Sequence, residues 1–202
     1  MRAYRVIAGV TGVVGVLGAV GAQLGTVSAE RTFATTSTAA QSLISIGVPF
    51  IGAVAGARRE RSLYKLALGY ALGMATLGLI ASLLVAALVP STAADPWKHA
   101  PAIIIGAFIT QVVAQSLGTG FGLLIGRPVI ASILTIVPPL AVYFLLAAVA
   151  PGAKGLAPYG SAQLWWKGEF SGSDVLLFVV MVAVWGVGLN LWGTSAARSR
   201  QA

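Results

Sequence analysis

The chain has 202 residues, 57% of them hydrophobic and 9% charged, with a net charge of +8 and a mean hydropathy of +0.90. A bilayer core of about 30 Å takes roughly 20 apolar residues as helix, and six such stretches leave no room for a soluble catalytic domain. Cysteine is absent, which excludes disulfides, thiolate metal sites and thiol redox chemistry.

The expected architecture is one all-α integral membrane domain over residues 1–202. Its spans fall at 6–28, 39–57, 64–89, 101–125, 128–149 and 175–194, with an outer segment at 150–174. Helices satisfy their own backbone polar groups in lipid. The period-two alternation of a barrel strand is missing from runs such as 83–88.

The first span follows Arg2, Tyr4 and Arg5. With Val27-Ser28-Ala29 after it, this opening resembles a cleavable signal peptide. The apolar run is longer than a usual signal core and as glycine-rich as the later spans, so a retained helix is expected. Its Gly9, Gly12, Gly15, Gly18 and Gly21 step by three. Such a stripe drifts around a helix and meets more than one neighbour.

The second span is short, opens with Gln41 and Ser42, and carries Pro49. Charge argues for keeping it. With six spans and the N-terminus inside, Arg2, Arg5, Arg58, Arg59, Arg61, Lys65, Arg127, Arg198 and Arg200 lie inside. Only Arg31, Lys98, Lys154 and Lys167 then lie outside. Deleting the span inverts everything downstream and places most basic residues outside, against the positive-inside rule. Both termini are therefore expected to be cytoplasmic, in a multi-pass protein of the cytoplasmic (bacterial inner) membrane. The basic excess reads as topology rather than as a nucleic-acid surface.

In the third span Gly69 and Gly73 form a small-residue ridge, and in the fourth Gly118, Gly122 and Gly126 form another. Helices in lipid associate by close packing of such residues, within one chain or against a second. The fourth span also aligns Gln111, Gln115 and Thr119 on one stripe, while Gln23 lies deep in the first and Asn190 near the end of the sixth. These neutral polar groups fit interhelical hydrogen bonding or a weakly polar translocation path. Trp185, in mid-span, fits that lining or a lipid-facing site. Pro138 and Pro139 interrupt the fifth span, where a kink serves gating or a static bundle alike. Trp97, Trp165 and Trp166 near outer ends, with Tyr4, Tyr64 and Trp192 near inner ones, form an aromatic belt.

No G-x-x-x-x-G-K-[ST] phosphate loop occurs, so neither ATP hydrolysis nor a bound cofactor is expected of this chain alone. No ionisable side chain falls well inside a span, which argues against a proton pump, an antiporter or an intramembrane hydrolase. His99, in an outer loop, has no second histidine to share a metal with.

Two stretches bring a family to mind: SLGTGFGLLIGRPVIASILTIVPP at 116–139 and LAPYGSAQLWWKGEFSG at 156–172. With the six-span layout, they resemble the six-helix permease subunits of ABC transporters of the type 2 (export) family. The resemblance implies ATP-driven export of a hydrophobic or amphipathic substrate, with a second permease chain, the same or related. It also implies a separate cytoplasmic ATP-binding subunit docked at Arg58, Arg59, Glu60, Arg61 and Lys65, in a turn shorter than that family's usual one. The segment before the last span often dips back into the membrane in such permeases. A different class of reading is a non-transporting membrane subunit that assembles or stabilises a larger complex. A third is a small channel-forming protein.

Overall fold

A computed structural model of the protein describes residues 2–200, with side chains from residue 5 onward. The expectations placed on the Arg2 and Tyr4 side chains lie outside the described residues. The described elements are helices: α1 (Arg2–Gly25), α2 (Phe33–Arg58), α3 (Arg61–Leu88), α4 (Ala100–Ile125), α5 (Pro128–Leu134), α6 (Val137–Val149), α7 (Pro158–Lys167), α8 (Gly172–Met181) and α9 (Leu189–Ser199). No strand occurs among the described residues. Counting α5–α6 and α8–α9 as continuous rods, six helices are long and apolar enough to cross a membrane. They coincide with the six stretches read from the sequence.

The least apolar span is the centre of the bundle. In α2, 61% of the most hydrophobic stretch is buried, against 17% in each of the last two spans. A helix surrounded by protein needs small residues for close approach and gains nothing from the large aliphatics that face lipid. That is why its hydropathy is modest. It also begins at Phe33, earlier than expected, because the Thr32 side chain caps it by accepting from the Thr35 amide at 3.1 Å.

Glycines set how closely the neighbours approach. Gly15 and Gly18 of α1 lie against Ile44 and Leu43 of α2, while Gly12 faces Leu77 of α3, so the three-residue stripe does meet two helices. Between α2 and α4 the approach is closest. A Cβ on Gly52 or Gly56 would run into the carbonyls of Gln115 and Thr119, and one on Gly118 or Gly122 into those of Pro49 and Ala53. Pro49 sits mid-helix without breaking α2, its carbonyl lodged in the space that Gly118 leaves.

Two expectations about packing are corrected, and the expected break in the fifth span is located. Gly126 is not a third member of the ridge but ends α4, with a positive φ of 70° and its amide bonded to the Gly122 carbonyl at 2.8 Å. A Cβ on Gly69 or Gly73 would meet nothing within 4 Å among the described residues. The packed face of α3 is instead Ala67, Ala71, Ala75 and Gly78, about 200° around the helix from the Gly69–Gly73 side. The break in the fifth span lies ahead of the prolines, at Thr135–Ile136, and Pro138 and Pro139 open α6. Proline clashes with the carbonyl four residues back and is favoured in a first turn, so the pair ends one helix and starts the next.

The last span departs from α-geometry at Val182–Gly188, a π-helical stretch. Beyond it, Asn190 bonds the Ser116 carbonyl of α4 at 2.9 Å, and Gly193 rests on the α4 backbone at Gly120. Together these hold α9 tightly to α4.

Candidate functional site

The two ends of the bundle differ in charge. One end gathers Arg5, Arg58, Arg59, Arg61, Lys65, Arg127, Arg198 and Arg200. There the α2–α3 turn is very tight: Arg59 adopts a left-handed conformation (φ 58°) and Glu60 already precedes α3. Arg59 donates to the Ala197 carbonyl of α9 at 3.0 Å, and Arg200 donates to the Leu124 and Leu123 carbonyls of α4 at 2.6 and 2.5 Å. These guanidinia cap helix C-termini, where cations are favoured. Arg58, Glu60, Arg61 and Lys65 remain exposed. Of the five residues expected at a docking surface, four face outward and Arg59 is committed to holding α9.

At the opposite end the segment after α6 folds back into the bundle. A 3-10 turn at Pro151–Leu156 leads into α7, which climbs beside the N-terminal half of α4. Trp185, in mid-span, donates to the Leu156 carbonyl at 3.2 Å, so the bottom of this hairpin is level with the interior of the last span. Gly106 leaves room for the Trp165 backbone, and Gly168 sits against His99, which is exposed and left-handed (φ 62°) at the start of α4. The aromatic pair therefore does not stay together at a boundary. Trp166 is 1% exposed and donates to the Thr110 hydroxyl at 2.8 Å, whereas Trp165 packs on Phe170 and Phe178.

Between this hairpin and the α2–α4 pair lies a cavity of about 400 Å³. Ile46 and Pro49 of α2 and Ala114 and Leu117 of α4 form one wall. Thr135 and Pro139 at the α5–α6 break, and Tyr159 and Trp166 of α7, form the other. The size falls within the range of small-molecule pockets, roughly 300–1,000 Å³. Ile46 lies thirteen residues into α2 and twelve from its end, so the cavity sits near the middle of the span.

The polar stripe of α4 lies elsewhere. The Gln111 amide donates to the Gln41 side chain at 2.9 Å, to the Gln41 carbonyl at 3.1 Å and to the Ser45 hydroxyl at 3.0 Å. Gln41 in turn donates to the Ala75 carbonyl of α3 at 3.1 Å. Gln115 donates to Thr119 at 3.0 Å within α4, and Gln41, Gln111, Gln115 and Thr119 are buried. None of Gln111, Gln115, Thr119, Gln23 or Trp185 lines the cavity. Gln23 is fully buried in α1, and its amide has no hydrogen-bond partner among the described residues. Comparison with protein-family models, curated proteins and solved structures finds no match to this chain.

Proposed function

We propose that this chain is the membrane-spanning permease subunit of an ATP-driven exporter in the cytoplasmic membrane, working with a separate ATP-binding subunit and a second permease chain. The observation that carries this reading is the mid-span cavity between two unlike walls. One wall is the α2–α4 pair, locked by interdigitated glycines and the Gln41–Gln111–Ser45 bonds. The other is built from a broken helix, a folded-back hairpin and the end of α8 at Phe178 and Met181. Close-packed interfaces resist gradual deformation, whereas helix breaks absorb dihedral changes, so a change of access would move the second wall against the first. Substrate would occupy the cavity, and ATP turnover in the partner would bias the equilibrium between the two packings. The basic end, held cytoplasmic by its charge, offers Arg58, Arg61 and Lys65 to that partner.

The test is purification of the full chain from its native membrane in mild detergent, followed by identification of what travels with it. The expected companion carries a phosphate-loop motif, and the double variant Arg58→Glu/Arg61→Glu releases it while staying membrane-inserted. A chain that brings down only proteins without such a motif is a scaffold subunit, and the transport reading fails.

A further inference from the structure

The chemistry of the cavity lining narrows what can occupy it. The donor protons of its serines and threonines are already spent, which leaves the Tyr159 phenol as the one hydroxyl of the lining without a bond among the described residues. Ser42 donates to the Ala39 carbonyl at 3.0 Å, Ser45 to Gln41 at 2.8 Å, Thr110 to Gly106 at 2.8 Å and Thr135 to Ser132 at 2.7 Å. The indole N–H of Trp166 is spent on Thr110. Among the described residues no charged side chain lines the space. A ligand group that needs a counter-charge or several hydrogen bonds would therefore be desolvated there without compensation, at a cost that excludes it. What the walls do offer is aliphatic and aromatic surface from Leu117, Leu140, Phe178 and Met181.

The point of entry is equally restrictive. Ile46 borders the cavity and is 49% exposed, so the cavity is open beside it rather than sealed by packing. It stands at mid-span, where the surroundings of a membrane helix are lipid tails rather than water. An occupant arriving there comes sideways, out of the hydrocarbon.

From a lining whose serines, threonines and indole are spent and which offers one phenol and no charge, and from the mid-span mouth, we infer that the cavity takes up one hydrocarbon chain of a bilayer lipid. The cargo class is then a lipid-anchored or lipid-like amphiphile whose tail enters here while its head group stays outside this cavity. This assignment rests on the transport reading for calling the occupant cargo, but the binding itself does not need the ATPase.

The experiment uses the full chain in nanodiscs that contain phosphatidylcholine bearing a diazirine at mid-chain, or the same lipid with the diazirine on the head group. After irradiation, adducts are mapped by mass spectrometry. The mid-chain probe is expected to label Tyr159, Trp166 or Met181 inside the bundle, and the head-group probe to label none of them. Ala114→Trp, which fills the space, removes those adducts and leaves adducts on the outward-facing Leu145 and Val179. If Ala114→Trp does not fold, Ala162→Leu on the facing wall serves the same purpose. Mid-chain adducts confined to outward-facing residues, or cavity adducts that survive filling, overturn the inference. Co-purification of an ATPase, scored on the same preparation, is independent. A partner present with an unlabelled cavity overturns the lipid assignment alone, and a labelled cavity with no ATPase overturns only the transport reading.

Discussion

Single glycines decide how this bundle closes, and the same residue type does opposite things a few positions apart. Gly118 is filled by the Pro49 carbonyl, whereas Gly69 faces open space. Gly118→Ala forces backbone atoms apart and is expected to cost about 1–3 kcal/mol, as overpacking does. Gly69→Ala is expected to cost nothing. Thermal unfolding of the two variants in one detergent checks the contrast, and equal midpoints would contradict it. Gln111 supplies a second residue-scale test. Its amide ties α4 to α2, so Gln111→Leu removes interhelical hydrogen bonds worth about 0.6–2 kcal/mol each. Transport in this variant should fall only as far as the amount of folded protein does. A loss of transport with stability unchanged would instead return Gln111 to the substrate path.

At the scale of elements, the fifth span is where sequence and structure teach most. Two adjacent prolines announce a break, and the break is there, one turn ahead of them because of the carbonyls they displace. Pro138→Ala/Pro139→Ala restores both amides and is expected to fuse α5 and α6. Hydrogen exchange across 133–140 should then slow, with ATP turnover becoming uncoupled from substrate. Unchanged exchange would mean that the break is held by tertiary contacts and not by the prolines. The existence and order of the six spans were legible because each is a long apolar run, and α2 was secured by charge rather than hydropathy. The Gly118–Gly122 ridge was legible as a motif, and its counterpart Gly52–Gly56 was present at the same spacing. Which glycine pair is buried was not legible: on α3 the spacing of Gly69 and Gly73 competes with an equally regular alanine stripe, and only the neighbouring helices choose between them. The burial of Trp166 was hidden for a related reason. An indole suits a membrane boundary, and nothing local reveals that Thr110, 56 residues away, accepts its N–H.

For the whole molecule, the arrangement has a rigid half and a segmented half with an apolar space between them, and a basic end. Orientation is tested by single cysteines in a chain that naturally has none. Thr92 and Ser173 are exposed at one end and Ser199 at the other. Cysteines at Thr92 and Ser173 should react with an impermeant thiol reagent on intact cells, and one at Ser199 only after permeabilisation. Labelling of Ser199→Cys on intact cells would invert the topology and remove the proposed docking surface from the compartment of the proposed ATP-binding subunit. The most direct test of the account as a whole is movement of a lipid bearing a fluorescent acyl chain across proteoliposomes that contain this chain and its co-purified partner. The expected result is a change in leaflet distribution that requires ATP hydrolysis, is abolished by Ala114→Trp and is retained by Gly69→Ala. Movement that proceeds equally without ATP, or that is indifferent to filling the cavity, would contradict it.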